Sequence, residues 1–280
     1  MRKWKALAGF TLTFVLVWST AAFAHFQMFY TPESALTNED SKEINLKLIF
    51  THPFEANYTM DMGKDMEGIT HPPKAVGVMH KGENTDLLDK IRPIEFASLT
   101  NKGKAYELSY NLDGEGDFIF YCDPDYYWEP AEDCFIRHVT KVIVNRGGMP
   151  TDWDQPVGLD VEIIPLDKPY GVWAGNVFRG VVMVKKDGKL VPFPNAEIEV
   201  EYVSHDIIGN GFAKQAKAGE APQDCFVTQT IKANKDGEFA YGIPRAGWWG
   251  FAALGLTEEK KNGKDIELGA LIWVQAHEMK

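Results

Sequence analysis

A histidine at position 25 follows Ala22-Phe23-Ala24 directly, the small-x-small pattern that signal peptidase reads. Cleavage after Ala24 makes His25 the amino terminus. Its free amino group and its imidazole can then chelate one metal ion through two nitrogens. A second histidine completes a three-nitrogen set suited to copper, nickel or cobalt. The opposing reading is accidental, because the peptidase constrains the residues before the cut and leaves the one after it nearly free.

The second histidine has a candidate in T-H-P-F-E-A-N-Y-T-M-D-M-G-K-D-M-E-G-I-T-H, residues 51–71. His52 ends an apolar run and precedes a proline that stops it, and loops at strand ends are where sites are usually built. Glu55, Met60, Met62, Met66 and His71 follow. Met60 and Met62 are two apart and face the same way in an extended chain. Thioethers favour reduced copper, and imidazole serves copper, nickel, zinc or iron. Each methionine alone could fill a core gap, but this stretch is polar, which argues against core. His138, in F-I-R-H-V-T-K, shares a strand face with Ile136, Thr140 and Val142. It reads as a structural histidine or as a further ligand. His80, His205 and His277 read as surface residues, and no histidine has the close spacing of a self-evident zinc site.

Cys122 and Cys134 flank Y-C-D-P-D-Y-Y-W-E-P-A-E-D-C. In an exported chain a disulfide tying this loop is the preferred reading, worth about 3 kcal/mol, and a thiolate metal pair is the alternative. Cys225 is left over. Tyr126, Tyr127 and Trp128 could stack on a sugar, wall a metal pocket or pack as a lid. No nucleophile elbow, phosphate loop or zinc-protease helix is present, so the chain reads as a binding protein and not an enzyme, although a three-nitrogen copper site could in principle support oxygen chemistry.

The elements that must position these residues are strands. Residues 1–24 read as a cleaved signal peptide: Arg2, Lys3 and Lys5, an uncharged run from Ala6 to Thr20, then the cleavage pattern. No other apolar run is long enough to span a bilayer. The full chain carries a formal charge of −11, and the mature chain is more negative still, because the signal holds basic residues and no acid. That argues against nucleic acid or an anionic membrane as partner. Its 280 residues suit two domains, 45% hydrophobic content can fill real cores, and three cysteines are too few for a disulfide scaffold.

Period-two alternation dominates. Ile44, Leu46, Leu48 and Phe50 share one face, as do Tyr106, Leu108, Tyr110 and Leu112. D-G-E-G-D at 113–117, followed by F-I-F-Y-C, reads as a hairpin, as do K-K-D-G-K and N-K-D-G further on. Short strands with turn signals between them predict an all-β chain of two β-sandwich domains in tandem, 25–165 and 166–280, with Leu159–Ile164 closing the first. Residues 204–226 read as a long polar loop.

Several motifs together resemble a known family, the periplasmic component of cobalt and nickel transport systems, filed as a domain of unknown function. They are A-H-F after the signal, F-T-H-P-F-E at 50–55, M-D-M at 60–62, Y-W-E-P-A-E-D-C-F-I-R-H at 127–138, E-I-I-P-L at 162–166, Y-G-V-W-A-G-N at 170–176, the K-D-G turn and P-R-A-G-W-W-G-F at 244–251. The resemblance implies an exported all-β protein whose C-terminal sandwich is prealbumin- or carboxypeptidase-regulatory-like. It implies nickel or cobalt captured in the periplasm and delivered to a membrane transporter, with His25 and His52 at matching positions and His138 in the matching strand. The methionines pull the other way, toward a copper carrier. Phe26 is a departure, since members often place an acid after the histidine. A metal-free envelope interaction module is the competing class.

Overall fold

The protein is described by a computed structural model covering residues 25–217 and 220–279. The expected signal peptide, residues 1–24, lies outside the described residues. The chain is all-β, as its alternation predicts, and its sheets stack in three layers. The outer layer orders Phe26–Tyr30, Glu43–Thr51, Lys102–Asn111 and Arg92–Ala97, with Thr59–Met60 added on Glu43–Thr51. The middle layer runs Gln229–Lys232, Glu197–Tyr202, Gly247–Leu254, Lys264–His277, Cys134–Arg146, Gly116–Asp123, Ala75–His80 and Glu83–Asp86. The third layer holds Val161–Pro165, Val177–Lys186, Lys189–Pro192 and Glu238–Gly242.

The two sandwiches share the middle sheet. Cys134–Arg146 from the first half pairs in parallel with Lys264–His277 from the second, from Phe135↔Ile266 to Val142↔Trp273. Strands covered on both faces are apolar on both, and V-T-K-V-I-V and A-L-I-W-V read that way. Val142, Val144, Leu271 and Trp273 point into one core, while Val139, Ile143, Ala270, Ile272 and Val274 point into the other. One charged pair lies inside the second core: Lys141 Nζ meets Glu162 Oε2 at 3.0 Å, both side chains almost wholly buried. Glu162 also accepts from the backbone N–H groups of Val157, Gly158 and Leu159, so the pair is hydrogen-bonded as a buried ion pair must be.

Several expectations change. The strand at 161–165 does not close the first sandwich; it pairs with Val177–Lys186 of the third layer. The turn at 113–117 does not close a hairpin either. Lys102–Asn111 lies in the outer sheet and Gly116–Asp123 in the middle one, so the turn steps between layers. The N-K-D-G turn does the same between Gln229–Lys232 and Glu238–Gly242. Only K-K-D-G-K behaves as read: Asp187 and Gly188 both take positive φ, and Lys186 pairs with Lys189, as a two-residue hairpin turn requires. The long polar loop contains a hairpin, His205–Ile207 with Phe212–Ala216. It is held because Phe212 enters the first core against Phe96, ring centroids 5.1 Å apart.

Candidate metal-binding site

Phe26–Tyr30 and Glu43–Thr51 are antiparallel, with Phe26 opposite Thr51. Continued by one residue, that register sets His25 across from His52. Pro53 has no N–H to continue the ladder, so the two histidines stand at the end of the outer sheet, both largely buried. Their ring centroids are 5.0 Å apart at 72°. Trp273 fixes this end of the first strand. Its Nε1 donates to the Gln27 carbonyl at 3.0 Å, and its ring meets Phe26 edge-on at 5.9 Å. Trp273 itself lies over Gly250, where any Cβ would come within 2.7 Å of the indole.

Each histidine has a polar partner. His25 Nε2 is 3.2 Å from Glu129 Oε2. Glu129 ends the short strand Tyr127–Glu129, which pairs back on Cys134–Ile136, and its other oxygen accepts from the Ala131 N–H at 2.9 Å. His52 Nδ1 is 3.1 Å from Asn57 Oδ1, and Asn57 Nδ2 donates to Glu55 Oε2 at 3.0 Å. The loop that carries them is tight. Ala56 N donates to the His52 carbonyl at 2.8 Å, Thr51 Oγ1 donates to the Tyr58 carbonyl at 2.7 Å, and Ala56 takes a positive φ of 52°.

The electrostatics favour a neutral His52 beside carboxylates. Burial, then the charge of His25, pushes His52 down to about 4. The hydrogen bond from His25, helped by the Ala131 N–H, holds Glu129 below the usual carboxylate range. Burial raises Glu132, against the pull of His25. Burial and the charges of Glu267 and Glu197 push Glu199 up to about 7. Acids thus surround the pair, and a cation would relieve their repulsion.

Other expected site residues fall elsewhere. His138 is buried in its strand, with Nε2 2.9 Å from Glu267 Oε1. Phe50 touches both His25 and His138, at 5.8 and 6.0 Å, but among the described residues no ring contact joins His138 to His25 or His52. Met60 and Met62 are packed in the first core despite their polar surroundings. Strand pairing with Phe50 buries Met60, and Met62 Sδ accepts from Gln27 Nε2 at 3.5 Å. Met66 is exposed. Glu55 faces Asn57.

The cysteine pairing fails. Cys122 and Cys134 are both free thiols. Continuing the register Ile143↔Ile119 sets Cys122 opposite Thr140, six residues from Cys134 or about 20 Å along the strand, far beyond the reach of a disulfide. His80 stacks on Phe118 at 3.9 Å, and His205 is buried on the Ala213 carbonyl, so neither is a simple surface residue.

Residue type and spacing do not single out Glu129, Asn57 or Glu267. Glu129 and Asn57 lay inside or next to the quoted motifs, whereas Glu267 carried no signal. Among the described residues no three His, Cys, Asp or Glu side chains already converge as a metal cage. The donor chemistry nonetheless fits a transition ion: two imidazoles face to edge, one of them held neutral, with a carboxylate beside the other.

Fold and site together define a layered all-β protein with a histidine pair at the end of one sheet. The sequence matches the family described as Domain of unknown function (DUF4198) over residues 22–257, and the protein belongs to that family. No curated protein matches it. Among solved structures it is similar to the Yersinia pseudotuberculosis adhesin InvE, at 11% identity and a TM-score of 0.25 over 90% of this chain, and it spans 58% of that one. It is also similar to the D0-D1 domain of intimin, at 10% identity and a TM-score of 0.21, over 90% of this chain and 100% of the other. Likenesses this slight assign no function. Among the described residues no helix is long and apolar enough to cross a membrane.

Proposed function

We propose that this protein is exported to the periplasm, binds a transition metal through His25 and His52, and captures nickel or cobalt for delivery to a membrane uptake transporter. The observation that carries the reading is the His25–His52 approach, 5.0 Å between ring centroids, beside the Glu129 carboxylate. The third nitrogen of the set is the amino group that signal cleavage at Ala24 would free on His25. A cage built from side chains alone is therefore not expected before processing. No catalytic step is assigned.

A copper carrier is the second reading. One observation bears on it: Met60 pairs with Phe50, whose ring lies 5.8 Å from His25, and a thioether ligand would suit reduced copper. A metal-free envelope module is the reading that remains if no metal binds.

The test uses protein exported by its own signal. Intact mass gives the first residue, and titration with nickel, cobalt and copper, beside a His52→Ala variant, gives affinity and preference. A chain starting at His25 that binds one metal tightly only with His52 present supports the reading, and the preferred metal chooses between uptake and copper handling. A chain starting elsewhere, or binding no tighter than millimolar, sinks it.

A further inference from the structure

We infer that Glu129 and Asn57 lock His25 and His52 in opposite tautomers, so that His25 Nδ1 and His52 Nε2 are the ring nitrogens offered to a metal. Glu129 and Asn57 are then positioning residues for the pair. This rests on the metal-binding reading above and goes beyond it, because it names the ligand atoms and the residues that select them.

The argument runs from acceptors. An ionised carboxylate can only accept hydrogen bonds. Glu129 Oε2, 3.2 Å from His25 Nε2, therefore requires the proton on Nε2 and leaves the lone pair on Nδ1. Nδ1 is also the ring nitrogen near the residue's own backbone, so it can close a small chelate ring with the amino group of the same histidine. Nε2 is too far round the ring to do so. Glu129 does not swing freely, because its other oxygen is held by the Ala131 N–H at 2.9 Å.

At His52 the logic passes through an amide. Asn57 can present either its oxygen or its nitrogen to the imidazole. Its nitrogen end is claimed by the Glu55 carboxylate at 3.0 Å, which turns the oxygen toward His52 Nδ1 at 3.1 Å. The proton therefore sits on Nδ1 and the lone pair on Nε2. The Asn57 backbone is pinned as well, because Ser98 Oγ donates to its main-chain carbonyl at 3.1 Å and Thr100 Oγ1 does so too. Glu55 thus acts two steps back from the metal, by orienting Asn57. The strand register that sets His25 across from His52 brings the two selected nitrogens to one end of the sheet. Outer partners of this kind fix the orientation and tautomer of ligating histidines and raise their basicity.

The experiment reads tautomers and affinity separately. Two-bond ¹H–¹⁵N correlation spectra of the metal-free, ¹⁵N-labelled mature protein near pH 7.5 report which ring nitrogen of each histidine is protonated. The expected pattern is Nε2–H at His25 and Nδ1–H at His52. Asn57→Leu is expected to mix the His52 tautomers and weaken metal binding roughly 10–100-fold, while Asn57→Asp, which keeps an acceptor, restores the wild-type tautomer. Glu129→Leu is expected to do the same at His25, with Glu129→Gln closer to wild type. Circular dichroism identifies any variant that fails to fold, and the wild-type spectrum stands without the variants. The reverse tautomer at either histidine of a metal-binding wild type overturns the inference and spares the metal reading. The expected tautomers with no metal bound overturn the metal reading and leave the hydrogen-bond lock in place.

Discussion

His25 and His138 flank the ring of Phe50 and lead different lives. His52 and its neighbour His25 sit largely buried at a sheet end, each with one ring nitrogen beside an acceptor. His138 sits mid-strand, almost fully buried, with Glu267 on its Nε2 and Phe50 on its ring. His52 and His138 both come shortly after apolar residues in the sequence, but only His52 is followed by a proline. The difference comes from where the strand stops. His52 lies one residue past the ladder, before a proline, so its ring is placed by a loop. His138 lies inside a strand covered on both faces, so its ring is placed by packing.

The sharpest way to break this comparison is to remove each histidine in turn. His52→Ala is expected to lower metal affinity by more than the roughly 10–100-fold attributed to outer partners, while His138→Ala leaves affinity near wild type; isothermal titration decides. A loss of binding in His138→Ala protein that is still folded would make His138 a ligand and erase the contrast. Next comes pH. An unfolded histidine titrates near 6.5, and His52 is pushed down to about 4 in the fold. Below about pH 6.5 the unfolded chain takes up a proton that the native site refuses. Stability is therefore expected to fall as pH drops toward 4, by up to roughly 3 kcal/mol from this group. Urea unfolding of metal-free protein at pH 7 and pH 4.5, wild type beside His52→Gln, isolates the term. An equal pH slope in the two would mean that His52 is not held neutral.

Glu267 gives the complementary test. Burial alone would raise its carboxyl, but the hydrogen bond and charge of His138 outweigh that and hold it low. Its contribution is present above the ordinary carboxylate range and is lost as pH falls through the lowered value. Glu267→Ala leaves a buried imidazole without its partner and is expected to cost about 1–3 kcal/mol in urea unfolding, with metal affinity lowered far less than by His52→Ala. The smallest effect belongs to Gly269, where an added Cβ would meet His138 Cδ2 at 2.7 Å and Leu254 Cδ2 at 2.9 Å. Gly269→Ala is expected to cost about 1 kcal/mol by overpacking, without touching metal affinity. A drop in affinity in this variant would tie His138 to the site after all.

The history of the turns shows why part of the fold could be read and part could not. Three Asp-Gly signals look alike in the sequence. Only the one at Asp187 closes a hairpin, and those at Asp113 and Asp236 carry the chain from one sheet to another. A turn's chemistry fixes its local φ and ψ, but not which sheet the next strand joins, because that depends on partners far away in sequence. The methionines make the same point. A polar neighbourhood argued against core for Met60 and Met62, yet the ladder with Phe50 and the Gln27 amide enclose them. The cysteine pair failed because loop length says nothing about the strand register that keeps the two thiols apart.

By itself the sequence determined the all-β character, through its period of two, and the candidate metal ligands, an imidazole after a small-x-small pattern and another before a strand-stopping proline. These are local properties, set by side-chain type and by the alternation of a pleated chain. Only the tertiary structure decided that the two sandwiches share one sheet, that His25 faces His52, and that Glu129 and Asn57 stand against their ring nitrogens. Those outcomes depend on strand register between distant segments, and register is fixed by the fit of two buried faces and not by either strand alone.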